Sequence, residues 1–370
     1  MGNKVVIHVM GMDSSKYGGM ERFNVKLSQS LWEKGYKSIF VYEIYPESEA
    51  FVDDLNVAHG EIKVINSRTS PLRFCRQLSH LIDEEQPILI HAHFTKARFY
   101  AIPLAYLKGV ERLVFTIHSA MSPKAEMKPL TRLWYTMAGK KAKVIAVSDN
   151  IESAYKSNWP KAKIKRIYLG VNGIIGDKND CRKRLVIPSD QIVVLTIANF
   201  NHIKGLDVLC KAIALLKKRG SLNEGVCFYI VGQPVSDQQE LFSMIKDLGL
   251  SGSIKMMGIS NDVASYMCAA DLYVQPSRSE GLPLALMEAT SVGLPLIGTK
   301  AGGIPEIVKN GFNGLLVDKE DEEQLATAIE FLLHNNELRM EYGNNSHVVF
   351  QEDFSVEVGV AHTISYYELE

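Results

Sequence analysis

Short β-branched runs alternate with longer stretches of helical apolar spacing along this chain, and that alternation most narrows the folds open to it. Repeated strand–helix–strand units imply parallel sheets covered by helices. In the first half the strand candidates are Lys4–Met10, Lys37–Tyr42, Ile62–Ile65, Ile88–His93, Leu113–Ile117 and Lys143–Val147. Between the first two, Met20, Phe23, Leu27 and Leu31 recur at helical spacing, and Gly35 supplies a cap. A polar, glycine-containing stretch at 172–180 breaks the series. A second series starts with the apolar run Ile192–Ala198 and continues through Val226–Val231, Ile254–Met257, Leu272–Gln275, Pro295–Gly298 and Gly314–Val317.

A chain of 370 residues exceeds what one hydrophobic core usually supports. The expectation is an α/β protein of two Rossmann-like domains, residues 1–172 and 173–352, with a helix over about 353–370 crossing back to the first. Ligands of such sheets bind at the carboxyl ends of the strands, so two parallel sheets facing one another would share a central cleft.

Composition excludes several classes. With 46% hydrophobic and 22% charged residues the chain is neither disordered nor fibrous. Its longest apolar stretch, Phe99–Leu107, is far shorter than the roughly 20 residues that cross a bilayer. No secretory cleavage pattern follows the first apolar run, and Val6 stands where a myristoylation motif needs Ser or Thr, so a cytoplasmic protein is expected. The five cysteines form no C-x-x-C pair and read as reduced, buried residues. Net charge is −1, yet residues 1–172 carry 25 Lys/Arg against 16 Asp/Glu, or +9, leaving −10 for the remainder. A basic first half suits an anionic membrane surface or a lipid pyrophosphate, and charge complementarity between domains is the other reading. No nucleic-acid partner is expected.

Two loops carry chemistry. The first strand ends in Gly11-Met12-Asp13-Ser14-Ser15-Lys16-Tyr17-Gly18-Gly19-Met20-Glu21, where a glycine pair opens a helix and favours an anion or acceptor. The spacing is not G-x-G-x-x-G, which counts against a dinucleotide oxidoreductase. In the second half Glu280 and Glu288 stand eight positions apart, the first in a loop and the second on the helix it opens. Eight residues make about two turns, so both carboxylates can face one cleft, where they suit sugar and ribose hydroxyls. The N–H groups around Gly281 and Leu282 can meet a diphosphate.

Glu280-x7-Glu288, then Ala301-Gly302-Gly303-Ile304-Pro305-Glu306 and Gly314-Leu315-Leu316-Val317, resembles the E-x7-E region of family four of the retaining GT-B glycosyltransferases. Gly18-Gly19-x-Glu21, His118 and Lys204-Gly205-Leu206-Asp207 agree in order, so the resemblance covers nearly the whole chain. It implies a GT-B fold, a nucleotide-sugar donor bound by the second domain, an acceptor side in the first, and no cofactor. Lys204 would bind the diphosphate, Glu280 a donor-sugar hydroxyl, Glu288 the ribose hydroxyls and His118 the transferred sugar. Gly18, Gly19, Gly281, Leu282 and Pro283 would line the donor, and the loop around Met257 and Gly258 would receive the base. Lys16, Glu21 and His93 are assigned to the acceptor side.

One departure stands out. The family usually has an Arg five residues before the Lys, and here Asn199 takes the place, with Arg278, His202 or Lys16 as candidate substitutes. His91 and His93 lack a third ligand at helical spacing, so no metal is assigned to them. Within 124–143, Leu130, Leu133, Trp134 and Met137 with Lys128, Arg132, Lys140, Lys141 and Lys143 form the pattern of a helix on an anionic membrane, or of one packed on its own domain. The expected function is a retaining, metal-independent transferase using UDP- rather than GDP-sugars on a glycan or lipid-linked acceptor in cell-envelope polysaccharide or lipopolysaccharide synthesis. A GT-B nucleotide-sugar epimerase and a non-catalytic nucleotide-sugar-binding protein are the alternatives.

Overall fold

The computed structural model describes residues 4–15, 17–66, 70–118, 140–222, 224–233 and 238–369, together with positions 129, 133 and 136. Lys16 and most of the 124–143 segment lie outside them. The apolar runs become strands, and the central ones alternate their residues between two buried faces. In β1 (Lys4–Val9), Val5, Ile7 and Val9 pack with Phe74, Leu78 and Ile102, while Val6 packs with Phe23, Leu27 and Leu31. A strand buried on both faces needs this continuous hydrophobicity.

The strand β1 pairs in parallel with β2 (Tyr36–Tyr42) and β4 (Leu89–His93). With β3 (Gly60–Val64), β5 (Arg112–Ile117), β6 (Lys143–Ala146) and β7 (Lys163–Arg166) they form a sheet of order β3-β2-β1-β4-β5-β6-β7. A second sheet has the order β10-β9-β8-β11-β12-β13. Its strands are β8 (Ile192–Ile197), β9 (Val226–Val231), β10 (Ile254–Gly258), β11 (Leu272–Gln275), β12 (Leu296–Thr299) and β13 (Gly314–Val317). Each sheet starts with a central strand, grows to one side, then reverses and grows to the other. The reversals fall between β1 and β4 and between β8 and β11.

The helices between strands begin where short polar side chains accept from the first turn. Ser48, Ser70, Ser148, Asp177, Asp262 and Asp321 each cap a helix in this way. Strand β7, Lys-Ile-Lys-Arg, escapes a search for apolar runs. It sits at the edge of its sheet, where charged side chains discourage pairing with another chain.

The chain separates into two compact units, Met1–Val171 with Val356–Glu370, and Asn172–Ser355. The helix Val356–Tyr367 packs Val356, Val360, Ile364 and Tyr367 into the cluster that holds Val6, Phe23 and Leu27. Val356 N–H donates to the Val171 carbonyl at 3.0 Å, where the chain re-enters this unit. A Cβ at Gly359 would lie 2.3 Å from the Leu169 carbonyl oxygen, so only glycine lets the helix approach. Gly359→Val should cost about 1–3 kcal/mol through overpacking, read as a lower urea midpoint, and a variant of undiminished stability would refute the close approach.

Candidate functional site

The reversal between β8 and β11 opens a crevice at the carboxyl ends of the strands, the position where doubly wound sheets bind ligands. Lys204 follows β8 through a short 3-10 turn, His202–Lys204, and Glu280 follows β11. The Lys204 ammonium meets Glu280 Oε1 at 2.7 Å. That same oxygen accepts from Ser277 Oγ at 2.8 Å and from Gln275 Nε2 at 3.1 Å. Three donors thus converge on one oxygen of a carboxylate whose side chain is only 9% exposed. Residues scattered in the sequence are assembled here because β8 and β11 are neighbours.

Glu288 lies half-buried on the helix Leu284–Ser291, whose cap is the buried Pro283. Burial, then the charges of Glu288 and Glu280, push the Tyr273 phenol well above its ordinary value, so both carboxylates act on the same buried phenol. The loop bearing Glu280 is held by a second glycine loop after β12. Gly303 N–H donates to the Gly281 carbonyl at 2.7 Å. Gly302 has φ +53°, and a Cβ there would stand 1.7 Å from the Glu280 carbonyl oxygen. Ala301-Gly302-Gly303 is therefore a backbone rest for the Glu280 loop. Gly205, with φ +65°, similarly lets the turn after Lys204 lie against the Pro276 carbonyl, 2.0 Å from where a Cβ would be.

Asn199 stands exposed just beyond β8, and Met257 and Gly258, the latter with φ +68°, end β10. Gly281, after Glu280, is exposed, and Leu282, before the buried Pro283, is half-buried. Arg278 does not replace the missing arginine. Its guanidinium is forked onto Asp207 at 2.6 and 2.7 Å, bonds Glu320 at 2.5 Å and donates to the His202 carbonyl at 2.6 Å. It clamps the segment after Lys204 to the loop after β11.

In the other unit the loop after β1 reaches the helix Gly19–Glu33, capped by Gly18. Glu21 is buried and serves the loop itself, accepting from Ser14 Oγ at 2.9 Å and from Gly18 N–H at 3.0 Å. Beside it, at the reversal between β1 and β4, lies a buried histidine cluster. No third ligand stands at helical spacing from His91 and His93, but the parallel register sets a third histidine, His8, opposite His91. Ligand nitrogens of His8, His91 and His93 lie within 4.8 Å of one another. Both nitrogens of His91 are engaged, Nδ1 with Tyr367 Oη at 2.6 Å and Nε2 with Thr116 Oγ1 at 2.7 Å. His118 follows β5, half-buried, stacked on Phe94 at 4.3 Å, and its Nε2 lies 3.3 Å from His93 Nδ1. Burial lowers every one of these rings, His8 and His118 to about 3, with the Arg98 charge adding to the effect on His118. All four are neutral at physiological pH. Phe94 has φ +57°, a strained conformation for a bulky residue, at the edge of this site.

A cavity of about 660 Å³, lined by Lys178, Cys268, Asp271, Pro295, Arg339 and His347 among others, opens at the amino ends of β11 and β12. It holds none of the candidate catalytic or donor-binding residues.

Fold and site together define a two-unit α/β protein with a polar crevice at the reversal of each sheet. Residues 177–348 match the model of the glycosyl transferases group 1, and residues 17–172 that of glycosyltransferase family 4. The lipopolysaccharide core biosynthesis glycosyltransferase LpsE of Rhizobium meliloti strain 1021 is 31% identical over 176 residues, covering 48% of this chain and 49% of that protein. The match thus spans about half the length of that relative. An uncharacterized glycosyltransferase of Haemophilus influenzae is 25% identical over 96% of this chain and 97% of its own. The Anabaena protein Alr3699/HepE, solved in complex with UDP, superposes with a TM-score of 0.80 at 23% identity, covering 98% of this chain and all of that one. The chain belongs to family four of the GT-B glycosyltransferases.

Asp207 shows how the crevice is kept in shape. The Arg278 guanidinium holds its carboxyl below the ordinary 3.8 despite burial. A carboxylate depressed on folding contributes stability that is complete above its unfolded pKa and lost as pH falls through the folded value. Asp207→Asn should therefore cost about 1–3 kcal/mol at neutral pH, with the gap to wild type closing as the pH is lowered from neutral through the ordinary 3.8 and further into acid. Urea unfolding of both proteins across that range checks it, and a gap that widens in acid would refute the pairing.

Proposed function

We propose that the chain transfers a sugar, with retention of anomeric configuration and without a metal ion, from a nucleotide-diphosphate sugar to a glycan or lipid-linked acceptor. UDP-sugars are favoured over GDP-sugars, and the product belongs to lipopolysaccharide or another cell-envelope polysaccharide, made from the cytoplasm at the inner face of the membrane. The observation that carries the reading is the Lys204–Glu280 pair at the β8–β11 reversal. It sets a cation and a largely buried carboxylate where a diphosphate and its sugar would lie. The name of LpsE supports the pathway, and the UDP complex of Alr3699/HepE supports the base. Among the described residues no helix is long and apolar enough to cross a membrane.

In this reading the donor's diphosphate takes over the Lys204 ammonium, which stabilises the charge that develops on the leaving group. Glu280 stays anchored by Gln275 and Ser277 on Oε1 and offers Oε2 to a hydroxyl of the sugar. Glu288 takes the ribose hydroxyls, the Met257–Gly258 loop the base, and Gly281, Leu282 and Gly19 the phosphates by backbone N–H. His118 bonds the transferred sugar near its anomeric centre. The C–O bond to the diphosphate breaks through an oxocarbenium-like state, the acceptor oxygen bonds to the same face, and its proton passes to the departing phosphate. The protein's share is positioning and electrostatics.

Asn199 can donate a hydrogen bond but brings no charge, and charge-assisted bonds are roughly twice as strong as neutral ones. With Arg278 committed to Asp207, the diphosphate rests on Lys204. Lys204→Ala should lower kcat/KM by about 100- to 1000-fold, whereas Asn199→Arg should lower the donor KM several-fold. Thermal shifts with UDP-, GDP- and ADP-sugars identify the donor, since a ligand of the folded state raises apparent stability. Diphosphate release with acceptor then measures transfer. Donor binding with no release across the panel would leave a binding protein, and isomerised sugar without transfer an epimerase.

A further inference from the structure

The histidines behind His118 decide which of its two nitrogens carries the proton. His93 is fully buried, its Nδ1 lies 3.3 Å from His118 Nε2, and its buried Nε2 has no hydrogen-bond partner among the described residues. Two arrangements satisfy the contact. Either His118 donates from Nε2, which puts the His93 proton on Nε2 as a buried orphan N–H, or His93 donates from Nδ1 and leaves a bare lone pair on its Nε2. Orphaned buried N–H groups are rarer than under-used buried acceptors, so the second arrangement is favoured. Depressed basicity from burial keeps both rings neutral, so neither can escape the choice by taking a second proton.

We propose that His93 is a positioning residue that fixes His118 in the Nδ1–H tautomer, so that His118 meets the transferred sugar as a hydrogen-bond donor and not as a general base. This rests on the reading that His118 borders the donor sugar. The fixed orientation follows from neighbours on three elements. His118 is stacked on Phe94, with the rings inclined by only 14°, and Arg98 of the helix Thr95–Leu107 lies close enough to disfavour a positive charge on it. His91, whose ring centroid is 4.0 Å from that of His93, is itself held by Tyr367 and Thr116, which keeps His93 from turning. With Nε2 occupied by the His93 proton, His118 has no lone pair to receive a proton from an acceptor hydroxyl. The acceptor's proton must then leave by the departing phosphate, and His118 contributes by holding an oxygen of the sugar.

The test is the protonation of the His118 ring in the full-length protein, labelled with 15N and read by long-range proton–nitrogen correlation at neutral pH. The expected spectrum shows Nδ1 as protonated and Nε2 as bare. In His93→Phe, which keeps a ring but removes the donor, His118 should shift towards the Nε2–H form that free imidazoles prefer. His93→Asn, whose amide can donate, should restore it. A wild-type His118 protonated on Nε2, or a tautomer indifferent to His93→Phe, would overturn the proposal. Turnover separates this from the function it rests on. A fall in kcat of tenfold or more in His93→Phe, with KM less affected and much of the loss recovered in His93→Asn, supports both. The stated tautomer with turnover insensitive to it would remove His118 from the reacting sugar while leaving the His93–His118 geometry intact. Thermal unfolding of each variant confirms that a folded protein is compared.

Discussion

Strands β8 and β11 lie side by side although two other strands and their helices come between them in sequence, and because both run parallel their carboxyl ends open at one edge. The Lys204–Glu280 pairing proposed for the donor depends on that adjacency. The helices after β8 and β11 leave in opposite directions across the sheet, so the loops part there and leave a crevice that hydrogen-bonded strands cannot close. Lys204 comes from one loop and Glu280 from the other, and their contact at 2.7 Å is a side-chain bond across the gap. The first unit repeats the arrangement with β1 and β4, where the glycine-rich loop and the histidines meet.

The crevice is held open by backbone contacts more than by side chains. Gly302, Gly303 and Gly205 let three chain segments touch main chain to main chain, so Glu280 is placed by loops that cannot drift without losing several contacts together. Arg278 adds a charged clamp between the same segments. A guanidinium forked onto a carboxylate is specific in direction as well as strong. This explains why an arginine close in sequence to the site is unavailable to a phosphate.

Much of this was legible in the sequence, and the exceptions have physical causes. Central parallel strands buried on both faces read as unbroken apolar runs, and the edge strands β3, β10 and β13 keep enough apolar residues to stand out with them, while β7 hides because charge replaces apolar residues there. The ordered motifs located Lys204, Glu280 and the glycines without revealing that Ala301-Gly302-Gly303 supports Glu280, since that contact joins different strands. Arg278 was a candidate phosphate ligand because a sequence does not show that Asp207 sits opposite it. His8 was missed as the partner of His91 for the same reason. The signal was present, a histidine at the matching depth of the first strand, but only the strand register turns it into a neighbour.

The first unit takes its last helix, Val356–Tyr367, from beyond the whole of the second, and Tyr367 reaches from it to bond His91. As the chain leaves the ribosome, residues 4–171 are made first yet must wait for some 180 further residues before this face is covered. The second unit, contiguous in sequence, has no such delay. Synthesis therefore passes through a stage in which the later-made unit can be finished and the earlier one cannot, with Phe23, Leu27 and Leu31 lacking their covering helix. During that interval the nascent protein carries an uncovered apolar face of the kind that chaperones bind.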